Sequence, residues 1–205
     1  MALDAGYETP AAFTRAFRER FGVSPSEFRG QRREVVPLCA ENSATRENVV
    51  MQPEMKKFPE TRVLFVRMTG PYNEAAPAAW EALCGFAYGN RLMTRDTQMI
   101  GIGHDSPEIT AEDKIRYDAC VSITSDVRPE GEVGVRTIAG GRHAVFLHKG
   151  AYAGLSETYR YIFADWLAAS GLTLRDQPHF EVYLNRDPRR TKPENLRTEI
   201  WVPVE

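Results

Sequence analysis

Two stretches of the chain, about 80 residues apart, show the same order of strand-like and helical hydrophobic patterns. Apolar runs at 62–66 and 142–146 each lead into a Gly-x-Tyr turn that ends at Tyr72 or Tyr152. An amphipathic helix follows each turn, with apolar residues three and four positions apart. Two further apolar runs follow each helix, at 98–104 and 114–124 and again at 180–185 and 196–204. The pattern therefore predicts a β-α-β-β unit that occurs twice.

The duplication predicts an α+β fold. Two β-α-β-β units side by side would form one antiparallel sheet with two helices on one face and a concave cleft on the other. We expect this domain to span residues 54–205, with repeats at about 54–126 and 133–205. Residues 34–53 have no clean period and are interrupted by prolines, which is typical of a linker.

The first 33 residues have a different, helical pattern. Thr9 and Pro10 form a good helix start, Gly22 is a helix stop, and Ser24 and Glu27 have the spacing of a capping box. A helix, a glycine turn and a second helix are the pattern of a helix-turn-helix. We therefore predict a short helix-turn-helix remnant at 1–33, ahead of the linker.

The amino-acid sequence of this first region also resembles a known family. ALDAGYETPAAFTRAFRERFGVSPSEFR resembles the second helix-turn-helix of AraC/XylS-family transcription regulators. The resemblance implies DNA contacts from Arg15, Arg18 and Thr14. That family uses two such motifs and this chain contains the second, so DNA binding by this chain alone is expected to be weak. The alternative is that Arg15 is a solvated arginine on a helix face.

Composition narrows the function classes. A net charge of −2 argues against a strongly basic nucleic-acid protein, although residues 1–33 carry six arginines against four acids. There is no run of roughly 20 apolar residues and no signal-peptide pattern, so we expect a cytoplasmic protein without a membrane partner. The three cysteines, Cys39, Cys84 and Cys120, form no CxxC motif, and we predict no metal and no cofactor.

Alternation in the last two strands suggests a ligand site. Ile200 and Val202 would face the helices, which places Glu199 and Trp201 on the opposite face. The same reasoning, applied to the strand before, places Glu181 and Tyr183 on that face too. A carboxylate among aromatic rings suits a lipophilic cation. The predicted ligand-binding residues are Glu199, Trp201, Tyr183, Glu181, Tyr152, Tyr72 and Asp118. A solvated Glu199 and a plain Asp118–Arg116 ion pair are the open alternatives.

Three segments of the second half carry another family resemblance. HKGAY, FEVYLNRDP and RTEIWVPV are similar to GyrI-like small-molecule-binding domains, which follow an AraC-type motif in one group of regulators. The resemblance implies a small-molecule effector and a central glutamate, which we assign to Glu199, between the walls Tyr183 and Trp201. It also leaves open a stand-alone protein that sequesters small molecules or binds DNA gyrase, and a hydrolase in which Glu199 and Tyr183 activate water.

Overall fold

The computed structural model describes residues 51–205 together with Thr14, Arg15, Arg18 and Ser24. Thr14, Arg15 and Arg18 have helical backbone, and both arginines are exposed. The rest of the predicted helix-turn-helix and most of the predicted linker lie outside the described residues. The AraC-type motif and its DNA contacts therefore stay predictions.

Within 51–205 the chain forms one eight-stranded sheet in which every neighbouring pair is antiparallel. The strand order is β1-β6-β8-β7-β3-β4-β2-β5. The strands are β1 Glu54–Phe58, β2 Thr61–Thr69, β3 Met99–Gly103, β4 Arg116–Ser122, β5 Gly134–Ile138, β6 Gly141–Lys149, β7 Phe180–Tyr183 and β8 Arg197–Pro203. The predicted α+β class and the single antiparallel sheet are confirmed.

The strand order is symmetric about its centre, where β3 pairs with β7. Exchanging β1 with β5, β2 with β6, β3 with β7 and β4 with β8 reproduces the same order read backwards. Each unit starts with a short strand that the sequence pattern did not single out. This strand pairs with the other unit, β1 with β6 and β5 with β2, so that the two units hold each other at both edges.

Two helical segments cover the same face of the sheet. Helix α1 is Tyr72–Gly89. Helix α2, Leu155–Arg160, continues through a π-helical stretch at Tyr161–Trp166 into α3, Leu167–Ser170. Gly171 ends this segment with a φ of 68°, a left-handed conformation that glycine adopts without strain. Short 3₁₀ turns lie at Glu112–Lys114, Tyr152–Gly154, Pro188–Arg190 and Pro193–Asn195.

The helix face and the opposite face are both apolar at their centres. On the helix face, Leu83 packs with β2 and β4, and Ile162 packs with β6 and β8. On the opposite face, one cluster joins Phe58 of edge strand β1 and Ile138 of edge strand β5 with Phe180 and Trp201 of the inner strands. Residues from both edges meet there, so the sheet curls and this face is concave. Within the described residues, no helix combines the length and apolar character that crossing a membrane requires.

Candidate functional site

The seven predicted ligand-binding residues are divided between the two faces of the sheet. In β7, Phe180 and Val182 belong to the apolar cluster of the concave face, so Glu181 and Tyr183 point to the helix face. In β8, Trp201 lies in the concave cluster, and Glu199 is on the same face. The prediction that Glu181 and Tyr183 share a face with Glu199 and Trp201 is wrong. The prediction failed because both faces of β7 are covered by other parts of the protein. The alternation of residues along the strand therefore cannot tell whether Phe180 and Val182 or Glu181 and Tyr183 face the helices.

Glu199 is occupied by partners from its own chain. Its carboxylate accepts hydrogen bonds from Lys56 Nζ at 2.9 Å and from Trp201 Nε1 at 3.0 Å. The Lys56 ammonium also lies 5.8 Å from the centre of the Trp201 ring. The bond to Glu199 raises the pKa of Lys56, although burial opposes it. The carboxylate and indole therefore do attract a cation, and that cation is the protein's own lysine.

Asp118 is also on the concave face and is fully buried in an ion-pair cluster. Its oxygens accept bonds from Arg67 at 2.6 and 2.9 Å and from Arg136 at 2.6 Å, and His104 lies 2.8 Å away. Burial favours the neutral acid, but the bonds from Arg67 and His104 outweigh it and lower the pKa of Asp118 to about 2.

The Asp118–Arg116 ion pair considered as an alternative does not form. Arg116 pairs instead with Asp105, with Nη2 2.8 Å from Oδ1 and Nε 2.9 Å from Oδ2. The loop after β3 therefore supplies a partner of Arg116, and no pattern in β4 predicts that contact.

Glu181, on the helix face, has a different environment. Its Oε1 accepts a hydrogen bond of 2.8 Å from the Tyr159 hydroxyl, and its Oε2 accepts a short one from the Tyr183 hydroxyl. Burial raises the pKa of Glu181, and the two tyrosine bonds oppose that rise. In the part of the chain that the structure describes, no lysine, arginine or histidine forms an ion pair with this carboxylate.

A chain of hydrogen bonds leads to Glu181 from helix α1. Trp80 Nε1 donates to the Tyr117 hydroxyl at 3.0 Å, and the Tyr117 and Tyr183 hydroxyls are 2.9 Å apart. An indole nitrogen can only donate and an ionised carboxylate can only accept. Tyr117 therefore donates to Tyr183, and Tyr183 donates to Glu181. Every hydroxyl in this chain points its hydrogen toward the charge.

Aromatic rings form the walls around this carboxylate. The rings of Trp80 and Tyr152 meet the Tyr183 ring edge-on, with centroids 5.6 and 5.5 Å away. The Tyr72 ring lies 6.0 Å from that of Tyr117. Tyr152 is 40% exposed, so it lies at the solvent side of the group. We call Glu181, Tyr183, Tyr159, Tyr117, Trp80, Tyr152 and Tyr72 the Glu181 site.

Two glycines of β3 make room for these rings. A Cβ on Gly101 would lie 2.6 Å from the Tyr183 hydroxyl and closer still to that of Tyr117. A Cβ on Gly103 would lie 2.8 Å from the Tyr72 hydroxyl. Sequence reasoning missed the contributions of Tyr159, Tyr117 and Trp80. The Gly-Ile-Gly of β3 is the signal that could have pointed to them, because alternate glycines in a strand often mark a close approach by other groups.

The arrangement places a carboxylate that forms no ion pair within residues 51–205 among aromatic rings. Four of the predicted residues, Glu181, Tyr183, Tyr152 and Tyr72, come together here, whereas Glu199, Trp201 and Asp118 lie on the other face. Within residues 51–205, no group of three or more histidine, cysteine, aspartate or glutamate side chains is placed to hold a metal ion. A carboxylate between rings suits an aromatic or alkylated cation.

Comparison with known proteins agrees with this architecture. Residues 51–205 match the model of the GyrI-like small molecule binding domain. The chain is 31% identical over 135 residues to the probable transcriptional regulator YgiV of Escherichia coli K12, which covers 65% of this chain and 80% of YgiV. It is 22% identical over 157 residues to a DNA gyrase inhibitor of Erwinia billingiae, covering 75% of this chain and 97% of that protein.

Two solved structures share the fold. The C-terminal domain of EcmrR superposes with a TM-score of 0.62 at 21% identity, over 76% of this chain and 98% of that domain. SAV2435, solved with tetraphenylphosphonium bound, superposes with a TM-score of 0.50 at 18% identity, over 76% of this chain and 94% of SAV2435. At these identities the likeness concerns the fold alone.

Proposed function

The chain belongs to the GyrI-like small-molecule-binding family, and from that membership we propose that it is a ligand-responsive transcription regulator of the AraC type, acting in the cytoplasm. Its GyrI-like domain binds a small cationic and aromatic molecule in the Glu181 site. The observation that carries this proposal is the contrast between Glu181 and the two concave-face carboxylates: among residues 51–205, Asp118 and Glu199 each form ion pairs with cationic side chains, whereas Glu181 forms none.

Glu181 is half-buried, and a carboxylate withdrawn from water without an ion-pair partner is unfavourable. The raised pKa of Glu181 reflects that cost. A bound cation would remove it, so part of the binding free energy comes from relieving a penalty already present in the free protein. Tyr159 and Tyr183 hold both carboxylate oxygens in place, so the charge does not need to reorient when the ligand arrives.

The ring positions favour a flat or aryl-substituted ligand. Trp80 and Tyr72 come from α1, Tyr152 from the turn before α2, and Tyr159 from α2 itself. A ligand among them touches both helical segments as well as β7. Ring faces attract cations and supply apolar contact area. The structure of SAV2435, a protein of the same fold, was solved with tetraphenylphosphonium bound. That cation is therefore a reasonable probe for the Glu181 site.

The regulatory half of the proposal rests on the N-terminal motif. Thr14, Arg15 and Arg18 would contact DNA, and the name of YgiV, a probable transcriptional regulator, supports this role. Ligand bound between the helices would change the affinity of the N-terminal helix-turn-helix for DNA. Bound DNA would in turn change the affinity for the ligand by the same factor.

Calorimetric titration with tetraphenylphosphonium tests the site. We expect saturable binding to the wild-type protein and at least tenfold weaker binding to Glu181→Gln, about 1.4 kcal/mol. Glu199→Gln is the matched control, because it removes an equal charge on the other face and should leave affinity within twofold. Triphenylphosphine oxide, similar in shape and neutral, should bind both proteins equally. Equal cation affinity in wild type and Glu181→Gln would contradict the proposal.

The names of some relatives favour one alternative, a protein that acts on DNA gyrase rather than on a promoter. A supercoiling assay with purified gyrase separates the two. The proposed regulator leaves supercoiling unchanged and shifts the mobility of DNA from its own promoter. Inhibition of gyrase without a DNA shift would support the alternative and replace the AraC-type assignment.

A further inference from the structure

The cluster around Asp118 has more positive charge than its carboxylate neutralises. We propose that Arg67, Arg136 and His104 form a second binding site, on the concave face, that takes the phosphate group of a small molecule. This site is on the opposite side of the sheet from Glu181 and does not depend on the function proposed for that residue.

Asp118 holds the two arginines in fixed positions. It is fully buried beneath them, while the Arg67 side chain is 41% and the Arg136 side chain 25% exposed. Arg67 binds both carboxylate oxygens through Nε and Nη2. Arg136 binds Oδ2 through Nη1, and its guanidinium carbon lies 5.6 Å from the centre of the Phe65 ring. The carboxylate therefore lies under a layer of guanidinium groups that borders solvent.

Donors in that layer remain available. Within residues 51–205, Arg67 Nη1 and the Nε and Nη2 atoms of Arg136 donate no hydrogen bond to the protein. The neighbouring Arg116 is not part of this layer, since its guanidinium pairs with Asp105. Two arginines, with His104 beside them, thus face one buried aspartate, which leaves at least one positive charge unmatched. Arranged guanidinium donors bind phosphate oxygens with short, directional hydrogen bonds.

The equivalent place in the second unit shows that the fold does not require this excess. By strand register, Glu199 corresponds to Asp118, Lys56 to Arg136 and Leu147 to Arg67. Leu184 corresponds to His104, since both backbone amides bond to the first residue of the neighbouring strand. There one lysine faces Glu199, and both leucines are partly exposed. The first unit therefore carries an arginine and a histidine at two positions where the same backbone accepts leucine.

The test uses inorganic phosphate as the probe, with sodium chloride at equal ionic strength as the reference. We expect calorimetry to show saturable phosphate binding to wild type. Arg136→Gln and Arg67→Gln should each weaken phosphate binding at least tenfold. Arg136→Lys keeps the positive charge but loses the paired N–H donors of the guanidinium group, so it should weaken binding about threefold or more. Lys56→Gln is the matched control and should bind phosphate as wild type does, as should Glu181→Gln.

Arg136→Gln leaves Asp118 with Arg67 and His104, so the variant should fold; circular dichroism and the melting temperature check this. If Arg136→Gln fails to fold, Arg136→Lys and Arg67→Gln provide the same test. A nucleoside monophosphate and a short DNA duplex then separate two sources of phosphate. Tighter binding of the monophosphate supports a small-molecule site. Binding of the duplex alone, or a response to phosphate no larger than to chloride, would overturn the proposal.

Discussion

The two units share one backbone plan and differ at the centre of the sheet. Gly101 of the first unit lies directly opposite Glu181 of the second in the β3–β7 pair, and the two positions are equivalent by the pseudo-twofold order of the strands. One unit supplies the carboxylate, and the other supplies the space for the tyrosines around it. A duplicated fold thus makes a single site through divergence at one symmetric pair of positions.

A second pair of equivalent positions, Asp118 and Glu199 on the concave face, also differs between the two units. Asp118 is fully buried under two arginines, whereas its counterpart Glu199 is partly exposed and is bound by one lysine and one indole. The two equivalent carboxylates are therefore expected to contribute differently to the free energy of unfolding. The residues around them differ between the units, whereas the arrangement of the strands is the same. Four experiments test how far this difference extends.

The largest effect is expected from Gly101→Ala. This substitution adds a side chain at the glycine that lies opposite Glu181 in the β3–β7 pair. Its Cβ would overlap the hydroxyls of Tyr117 and Tyr183, and both are held by hydrogen bonds. Overpacking of this kind costs about 1–3 kcal/mol, and we expect about 3 kcal/mol from urea unfolding, with loss of cation binding. Gly89→Ala, where a Cβ meets nothing within 4 Å, is the control. Unchanged stability and binding would mean that the glycine is not what makes room.

Asp118→Asn should be more costly than Glu199→Gln. The pKa of Asp118 is lowered from 3.8 to about 2, and each unit corresponds to about 1.4 kcal/mol, so we expect a loss of about 2 kcal/mol at pH 7. Glu199→Gln removes a partly exposed pair and should cost under about 1 kcal/mol. Denaturant melts of both variants check the difference. Equal losses would show that the two carboxylates contribute alike.

Acid should affect the second unit through His179. Burial lowers its pKa from 6.5 to about 4, so the folded protein takes up this proton later than the unfolded chain does. The contribution to stability is complete above pH 6.5 and is lost as the pH falls toward 4. Because the His179 side chain is partly exposed to screening solvent, we expect about 1–2 kcal/mol in that window, less than the full difference in pKa would give. His179→Phe should flatten the dependence in part, because burial also lowers the pKa of His143. An unaltered slope in His179→Phe would contradict this assignment.

The smallest effect is expected from Trp80→Phe. The substitution keeps a ring beside Tyr183 and removes the indole donor to Tyr117. One neutral hydrogen bond contributes about 0.5–1.5 kcal/mol, and this one acts on Glu181 through two hydroxyls. Cation affinity should fall by about threefold or less in the calorimetric titration. A loss as large as that of Glu181→Gln would mean that the Trp80 indole N–H contributes to binding directly rather than through the hydroxyls of Tyr117 and Tyr183.

Much of the fold could be predicted because its cause is local. The Gly-x-Tyr turns at Tyr72 and Tyr152, the helical periods after them and the stop at Gly171 are short-range patterns. The short strands β1 and β5 were not singled out, because each is stabilised by pairing with the other unit. The structure places a carboxylate among aromatic rings at Glu181, whereas the predicted centre, Glu199, is paired with Lys56. Ligand binding at these residues stays a prediction.

The sequence by itself determined the duplicated unit and the order of its main elements, because periodicity and turn chemistry act within a few residues. It also indicated the residue types of the proposed cation site, a carboxylate and aromatic rings. The tertiary structure alone decided which face each strand presents, and which of Glu181, Asp118 and Glu199 forms no ion pair among residues 51–205. Glu181 depends on Tyr159, which is 22 positions away, and Glu199 on Lys56, which is 143 positions away. Partners so distant come together when strands from both units pair, and an alternating pattern on a sheet covered on both faces is the same in either orientation.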